Sequence, residues 1–237
     1  MNLFLTDDSS QSYALLDAAE SKHCIRVLRM RVGDEIWVTS GDGTMCRARI
    51  CNPDDKACEV EIVERIPAYR QRQFRLHMAV APTKNSARLE WFVEKAVEIG
   101  IDCFTPIICD HSERENLKTD RLEKLALSAM KQSLKASCPT IAPPTRLVDF
   151  FKQHDSATAD DCRLICYCDG GERHHLGSRY AAGRNATVLI GPEGDFSPRE
   201  VQMALDNGFL PVSLGESRLR TETAALFVVS TLNFLNA

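Results

Sequence analysis

Hydrophobic and polar residues alternate through the first quarter of the chain in a way that predicts short strands. Residues 45–50 and 58–63 alternate with a period of two, and residues 34–39 form a third strand-like segment. The glycines within residues 41–43 supply a turn between two of these strands. Several short strands with one solvated face indicate a small β-barrel, which we expect to cover residues 1–68.

A short helix is expected ahead of these strands. Residues 21–30 have helical spacing, with three apolar residues on one side: Cys24, Val27 and Leu28. Arg26 and Arg29 are one helical step apart, so a continuous helix would present both on one face.

The pattern changes after residues 66–73, a polar stretch with a proline and no periodicity that is typical of a domain boundary. Beyond it, nearly continuous apolar strands alternate with longer helices. The expected strands are residues 74–81, 103–109, 163–168, 186–190 and 210–214. The expected helices are residues 121–135, 221–234 and one with a buried stripe at Leu89, Phe92, Val93, Ala96 and Val97, ended by Gly100. Strand–helix alternation predicts an α/β domain over residues 74–237, with a mostly parallel sheet and flanking helices.

Composition and charge exclude some classes of protein but do not indicate which reaction or ligand the chain supports. The chain has 237 residues and a net charge of −4, which argues against non-specific coating of nucleic acid but allows a local basic patch. Its 10 cysteines include no CxxC pair, so we expect small buried hydrophobes and no metal site. The first residues lack the features of a signal peptide and no window reaches the length of a membrane span. We therefore expect a cytoplasmic protein that does not associate with a membrane.

Two loops near the C-terminus each follow an apolar strand and precede a helix. In residues 189–200, Ser197 is a good N-cap and Glu200 completes a capping box. The second loop, residues 214–225, places Arg220 and Glu222 at a helix start. Ligands of open α/β sheets bind at the carboxyl ends of strands, where both loops are expected to lie. The glycines of these loops match neither the Walker pattern nor the dinucleotide-binding pattern G-x-G-x-x-G, so a phosphate-binding loop is not indicated. Taken alone, the first loop could equally be a capped turn without a ligand, and the charges of the second could be a solvated helix start.

Together the two loops resemble those of the SPOUT-type RNA methyltransferases, and most closely the family that methylates N3 of one uridine in 16S ribosomal RNA. That family has GPEGG and then LG…LRTETA, and this chain has Gly191-Pro192-Glu193-Gly194-Asp195 and Leu214-Gly215…Leu219-Arg220-Thr221-Glu222-Thr223-Ala224. Further matching segments, in the same order as in the family, are residues 23–29 with Gly33-Asp34, Lys84, residues 94–100, and residues 131–133 with Pro139. The departures are Asp195 in place of a glycine and Lys135 in place of an arginine.

The resemblance implies a C-terminal trefoil knot that binds S-adenosyl-L-methionine. The residues it places in the cofactor site are Cys168, Leu189, Ile190, Gly191, Gly194, Leu214, Gly215, Leu219 and Arg220. It also implies that the N-terminal domain is a PUA-like RNA-binding barrel. The expected RNA contacts are His23, Arg26, Arg29, Arg31 and Lys84, although His23 could instead pack and the arginines could form a solvated face.

Catalytic roles follow from the same resemblance. Because N3 of uracil carries a proton at neutral pH, the base must be deprotonated or its anion stabilised. Arg220 is the candidate for stabilising the uracil oxyanion or holding a phosphate. Glu222 and Glu193 are the candidates for orienting the ring or accepting the proton.

The expected partners are 16S ribosomal RNA in the small ribosomal subunit and a second copy of the chain. Family members are homodimers, and the apolar helix at residues 221–234 would suit either a partner or the core of its own domain. Two alternatives stay open: an enzyme for another RNA, such as tRNA or another ribosomal RNA position, and a non-catalytic RNA-binding assembly factor. Asp195 is the feature that favours the second, because a degenerate cofactor loop would explain it.

Overall fold

A computed structural model describes residues 2–153, 161–168 and 174–237. It divides into two compact units. The N-terminal unit contains the residues through Gln71 together with Leu127–Cys138, and the C-terminal unit contains Arg72–Ala126 and Pro139–Ala237. The division after Gln71 falls within the boundary expected from the sequence.

The segment Leu127–Cys138 groups with the N-terminal unit, whereas the sequence analysis placed it in the second domain. The reason is a set of hydrogen bonds to the turn around Gly41. The amide of Gly43 donates to the carbonyl of Ala136 at 2.8 Å, and the amide of Cys138 donates to the carbonyl of Gly41 at 2.9 Å. Sequence periodicity carries no information about such distant pairings.

The N-terminal unit is built on a sheet with the order β1-β3-β4-β5-β2. The strands are β1 (Leu3–Leu5), β2 (Tyr13–Leu15), β3 (Glu35–Thr39), β4 (Met45–Asn52) and β5 (Glu59–Ile66). An antiparallel bridge between Thr6 and Leu16 joins the two edge strands just beyond their ends. Because this bridge brings the edges together, the sheet curls into the small barrel that the alternating pattern predicted.

The helix ahead of these strands differs from the expected one. Helix α1 (Ala18–Lys22) passes into a π-helical turn at His23–Val27. Cys24 is buried, but Val27 is 64% and Leu28 39% exposed, so the expected apolar face ends early. A π-turn places more residues in each turn than an α-helix, which rotates the later side chains away from the buried face.

The C-terminal unit contains a parallel sheet with the order β11-β13-β10-β12-β6-β7-β8 over the described residues, and β9 also pairs with β7. These strands are β6 (Leu76–Val80), β7 (Cys103–Ile108), β8 (Thr140–Ile141), β9 (Thr145–Arg146), β10 (Asp161–Cys166), β11 (His174–His175), β12 (Asn185–Ile190) and β13 (Leu210–Ser213). The remaining helices are α2 (Ser86–Ile99), α3 (Asp120–Gln132), α4 (Leu147–Gln153), α5 (Leu176–Arg179), α6 (Pro198–Asp206) and α7 (Thr221–Leu235). The expected alternation of apolar strands and helices is confirmed.

Strand order determines where the functional loops meet. Strand β12 lies between β10 and β6, and β13 lies on the other side of β10, all in parallel. The carboxyl ends of these strands therefore share one edge of the sheet, where ligands of such sheets bind. On α2 the expected stripe is buried, and Gly100 ends the helix with a φ of 142° that favours glycine.

The helices of the described ranges include none with both the length and the apolar character needed to cross a membrane.

Candidate functional site

A cavity of about 280 Å³ opens at the carboxyl edge of the parallel sheet. Its walls are the ends of β10, β12 and β13, the loops that follow them, and the first turn of α7. Eight residues expected at a cofactor or catalytic site line it: Cys168, Ile190, Gly191, Glu193, Leu214, Gly215, Leu219 and Arg220. The fold thus gathers residues from separate loops around one space.

Three expected site residues lie elsewhere. Leu189 is 0% exposed and belongs to the core beneath the cavity, because neighbouring residues of a strand point to opposite faces. Gly194 lines the adjoining groove, where a Cβ would lie 3.0 Å from the Cβ of His111. Glu222 does not line the cavity, and its Oε1 lies 3.7 Å from Nε of Arg88.

The loop after β12 is held by close packing and by α7. A Cβ at Gly191 would lie 3.1 Å from the ring of Phe196, so a larger residue would force the loop to shift. The hydroxyl of Thr221 donates to the carbonyl of Gly191 at 3.1 Å. At the end of the loop the expected capping box is present, with Ser197 as N-cap and Glu200 as its partner.

Glu193 and Lys84 meet at the edge of the cavity. The backbone amide of Lys84 donates to Oε1 of Glu193 at 3.0 Å, so this carboxylate also fixes the loop after β6. The Nζ of Lys84 lies 2.7 Å from Glu113, and the hydrogen bond from Lys84 to that carboxylate raises the pKa of Lys84. Both ends of the ion pair are exposed, so Lys84 remains accessible to a ligand.

Asp195 adopts a left-handed backbone conformation with a φ of 62°. Glycine is favoured at such a position, and aspartate is among the residues that tolerate it best. The Asp195 carboxylate accepts hydrogen bonds from the amide of Cys168 at 2.6 Å and from the amide of Phe196 at 2.8 Å. The departure from the expected glycine therefore fits the loop and adds a link between two cavity walls.

Two arginines give the cavity positive charge. Arg218 and Arg220 both line it and both are exposed. Within the part of the chain that the structure describes, neither guanidinium forms an ion pair with an acid. Both charges are therefore available to an anionic group.

The cysteines at the cavity differ in environment. Burial raises the pKa of the Cys166 thiol, so it is neutral at physiological pH, whereas Cys168 is exposed. Among residues 2–153, 161–168 and 174–237, no group of three or more His, Cys, Asp or Glu side chains could hold a metal ion.

A larger groove of about 930 Å³ adjoins the cavity. The two spaces share a wall formed by Cys168, Asp195, Ser213, Gly215, Ser217 and Arg218. His111 and His175 also line the groove but not the cavity. A second molecule in the groove would therefore lie beside a ligand in the cavity.

The expected RNA-binding residues of the N-terminal unit are all exposed, but they do not share a helix face. His23 packs its ring against Phe4, with centroids 5.9 Å apart. Arg26 pairs with Asp55 at 2.6 Å, and Arg29 lies beyond the π-turn with a φ of 57°. Arg31 lies two residues further on. The cluster is therefore a turn with exposed arginines and not one face of a continuous helix.

Sequence reasoning missed several lining residues, among them Tyr167, Val212, Ser217, Arg218 and Thr221. It also missed His111, whose Nδ1 lies 3.0 Å from the carbonyl oxygens of Gly194 and Asp195. Ser217 and Arg218 lie in the loop of residues 214–225, so their position in the sequence could have identified them as lining residues. Nothing local marked His111, because its partners are more than eighty residues away in the chain.

Comparisons with known proteins find similarity along almost the whole chain. A family model described as an RNA methyltransferase domain matches residues 70–233, and one described as an RNA methyltransferase PUA domain matches residues 16–63. The chain is 28% identical to ribosomal RNA small subunit methyltransferase E of Aquifex aeolicus, covering 98% of this chain and 99% of that protein. It is 26% identical to the protein of the same name from Bacillus subtilis, covering 91% of this chain and 87% of that protein.

Solved structures are also similar over the whole chain. A probable rRNA methyltransferase from Porphyromonas gingivalis is 43% identical with a TM-score of 0.92, covering 100% of this chain and 98% of that one. A methyltransferase from Legionella pneumophila, solved with its cofactor S-adenosylmethionine bound, is 25% identical with a TM-score of 0.84, at 100% and 98% coverage.

Leu189 and Leu214 were both expected at the cofactor site, but only Leu214 lines the cavity, so a matched pair of substitutions tests where each side chain lies. Leu189→Ala removes a fully buried side chain and should lower the free energy of unfolding by about 2–5 kcal/mol. Leu214→Ala removes a partly exposed side chain at the cavity and should cost less than half as much. Urea denaturation followed by circular dichroism measures both. Equal losses for the two variants would contradict the placement of Leu189 in the core.

Proposed function

The chain belongs to the RNA methyltransferase family with an N-terminal PUA domain, and from this we propose that it methylates N3 of one uridine in 16S ribosomal RNA. The methyl donor is S-adenosyl-L-methionine and the substrate is the small ribosomal subunit in the cytoplasm. The observation that carries the proposal is the cavity at the carboxyl edge of the sheet, lined by both loops that resemble those of the uridine-N3 enzymes. The names of the relatives from Aquifex and Bacillus support the choice of small-subunit RNA.

The cavity suits the proposed cofactor in size and chemistry. Its volume of about 280 Å³ is close to the lower end of the range for small-molecule sites, about 300–1,000 Å³. Gly215 has a φ of 117° and no atom within 4 Å of an added Cβ, so the backbone lies open to the cavity at this point. Backbone groups of Gly191, Leu214 and Gly215 would hold the cofactor, as would the apolar side chains of Ile190 and Leu219.

S-adenosylmethionine supplies an electrophilic methyl carbon when it is bound. The protein must hold the attacking N3 in line with that carbon and stabilise charge on the uracil ring. The guanidinium of Arg220 is exposed at the cavity and stabilises the uracil oxyanion or holds a phosphate. Arg218 adds positive charge at the shared wall, where the target base would enter from the groove.

The two acids take different roles in this proposal. Glu193 lines the cavity but already accepts the amide of Lys84, so its first role is to hold the loop, and its second oxygen can orient the ring. Glu222 is 8% exposed, and its Oε2 has no hydrogen-bond partner among the described residues. It follows directly after Thr221 of the cavity wall, so Glu222 remains a candidate for accepting the proton.

A non-catalytic assembly factor is disfavoured by the position of Asp195. The residue that suggested a degenerate loop instead makes two hydrogen bonds within the site. The alternative of another RNA substrate is tested by identifying which nucleotide the protein methylates.

The direct test uses small ribosomal subunits from a strain that lacks this protein. The purified protein and isotopically labelled S-adenosylmethionine should methylate one uridine of 16S RNA at N3, as mapped by nuclease digestion and mass spectrometry. Label in tRNA or at another ribosomal position would support a different RNA substrate. Cofactor binding without transfer to any RNA would support an assembly factor.

Arg220→Ala should lower the methylation rate about 10²–10³-fold, because it removes the charge that stabilises the transition state. Circular dichroism and the unfolding midpoint should stay unchanged, since the side chain is exposed. Arg121→Ala is the matched control, because Arg121 is exposed, pairs with Glu90 and does not line the cavity. Near-normal turnover of Arg220→Ala would refute the assigned role.

We propose that the exposed arginines of the N-terminal unit bind RNA phosphates. Arg26→Ala with Arg29→Ala should weaken binding to 16S RNA and reduce the slope of log affinity against log salt by about one to two. Arg49→Ala on β4 is the control, since Arg49 pairs with Glu35 and lies outside the cluster. Filter binding over a salt series measures the slope, and an unchanged slope would mean that the two arginines do not contact RNA.

We also propose that the chain forms a homodimer through α7. Ala225, Val228 and Leu232 face the core, so only part of the expected partner surface is available. The other side of the helix carries Phe227 at 40% and Phe234 at 80% exposure. Single exposed apolar residues are ordinary, but two exposed phenylalanines on one helix beside a ligand cavity favour a partner.

Phe227→Glu with Phe234→Glu should convert a dimer to a monomer. Light scattering after size exclusion should give twice the chain mass of 26.5 kDa for the unchanged protein and 26.5 kDa for the variant. Leu205→Glu on α6 is the control, because Leu205 is similarly exposed at 37% but lies on another helix. A monomeric unchanged protein, or a variant that stays dimeric, would contradict the proposed interface.

A further inference from the structure

We propose that Asp195 and His111 are positioning residues that clamp the loop after β12 to the loops after β10 and β7 and so fix the walls of the cofactor cavity. The inference rests on the proposed function, because it assigns the clamp to S-adenosylmethionine binding. Asp195 lines both the cavity and the adjoining groove, and His111 lines the groove. Neither residue has to contact the reacting atoms for this role.

One side of the clamp is the Asp195 carboxylate. Its Oδ2 accepts the amide of Cys168 at 2.6 Å, and Cys168 lies in the loop that follows β10. Its Oδ1 accepts the amide of Phe196 at 2.8 Å, which holds the side chain in place. Both oxygens are therefore committed, and hydrogen bonds to an ionised carboxylate are stronger than neutral ones. The bond to Cys168 joins two loops that both line the cavity.

The other side is His111, in the loop that follows β7. Its Nδ1 lies 3.0 Å from the carbonyl oxygen of Gly194 and 3.0 Å from that of Asp195. Because a carbonyl oxygen can only accept, Nδ1 carries the proton and donates to both. The absence of a side chain at Gly194 allows this approach, since a Cβ there would lie 3.0 Å from the Cβ of His111.

The clamp explains why an aspartate can replace glycine here. The φ of 62° is maintained by the hydrogen bond from His111 to the Asp195 carbonyl and by the amide hydrogen bonds that the Asp195 carboxylate accepts. A loop held in this way reaches the bound geometry without further ordering, which lowers the entropic cost of binding a ligand. Loss of one hydrogen bond should therefore weaken cofactor binding more than it weakens the fold.

Asp195→Asn separates the hydrogen bond from the backbone conformation. Asparagine tolerates a left-handed φ, but it has one acceptor oxygen where Asp195 uses two, so one amide loses its partner. We expect the Kd for S-adenosylmethionine, measured by calorimetry, to rise about tenfold, with a parallel rise in its KM and a kcat within twofold. Asp206→Asn is the matched control, because Asp206 is exposed on α6 and bonds only to Gln202 among the described residues. An unchanged Kd and KM for Asp195→Asn would overturn the clamp.

His111 provides a rescue test of the other side. His111→Ala removes the donor and should raise the cofactor Kd several-fold, whereas His111→Asn places an amide N–H near the position of Nδ1 and should restore most of the affinity. Equal affinities of the Ala and Asn variants would exclude a hydrogen-bonding role for His111.

Hydrogen exchange measured without cofactor tests the clamp independently of the proposed function. Amide hydrogen exchange at Cys168 and Phe196 should be slow in the unchanged protein, and at least one of the two amides should exchange about tenfold faster in Asp195→Asn. The same exchange rates in both proteins would overturn the clamp whether or not the cofactor binds. If the unchanged protein shows this protection but does not bind S-adenosylmethionine, the proposed function fails, and with it the assignment of the clamp to that cofactor.

Discussion

The arrangement of the site depends on one buried carboxylate, that of Glu200. It is 3% exposed, and both of its oxygens accept backbone amides: Ser197 at 2.9 Å and Asp110 at 2.8 Å. The first bond begins α6 and the second attaches the loop after β7. A buried carboxylate without such partners would be strongly destabilising, so the sequence must bring both loops to it. The loop after β12 is thereby fixed at its far end before any ligand is considered.

The nearer end of the same loop is fixed by its other neighbours. Glu193 accepts the amide of Lys84 from the loop after β6, and Thr221 of α7 donates to the carbonyl of Gly191. Parallel strands make this possible, because the carboxyl ends of β6, β7, β10 and β12 lie at one edge. The acids of the loop therefore serve mainly to satisfy backbone amides, while the arginines of the second loop stay exposed. Rigid walls with accessible positive charge are the combination that aligned methyl transfer to an anionic base requires.

Much of the fold could be predicted because local sequence patterns determine it. The stripe on α2, the capping box at Ser197 and the alternation of strands and helices depend on residues close in the chain, and all are present. The failures have a common cause in long-range geometry. The placement of Leu127–Cys138 depends on a turn some ninety residues earlier, which no local pattern encodes. Leu189 was placed in the cofactor site by the family resemblance alone, and the structure places its side chain in the core.

At Asp195 the family resemblance identified an unusual residue but could not predict what its side chain does. The resemblance identified the position as unusual, and Asp195 was the feature that favoured a degenerate cofactor loop. In the structure the side chain contributes to an ordered loop, because its carboxylate accepts the amides of Cys168 and Phe196. A left-handed φ is the requirement at this position, and glycine is only one residue that meets it. Once aspartate meets it as well, its carboxylate provides a connection between loops that glycine cannot make.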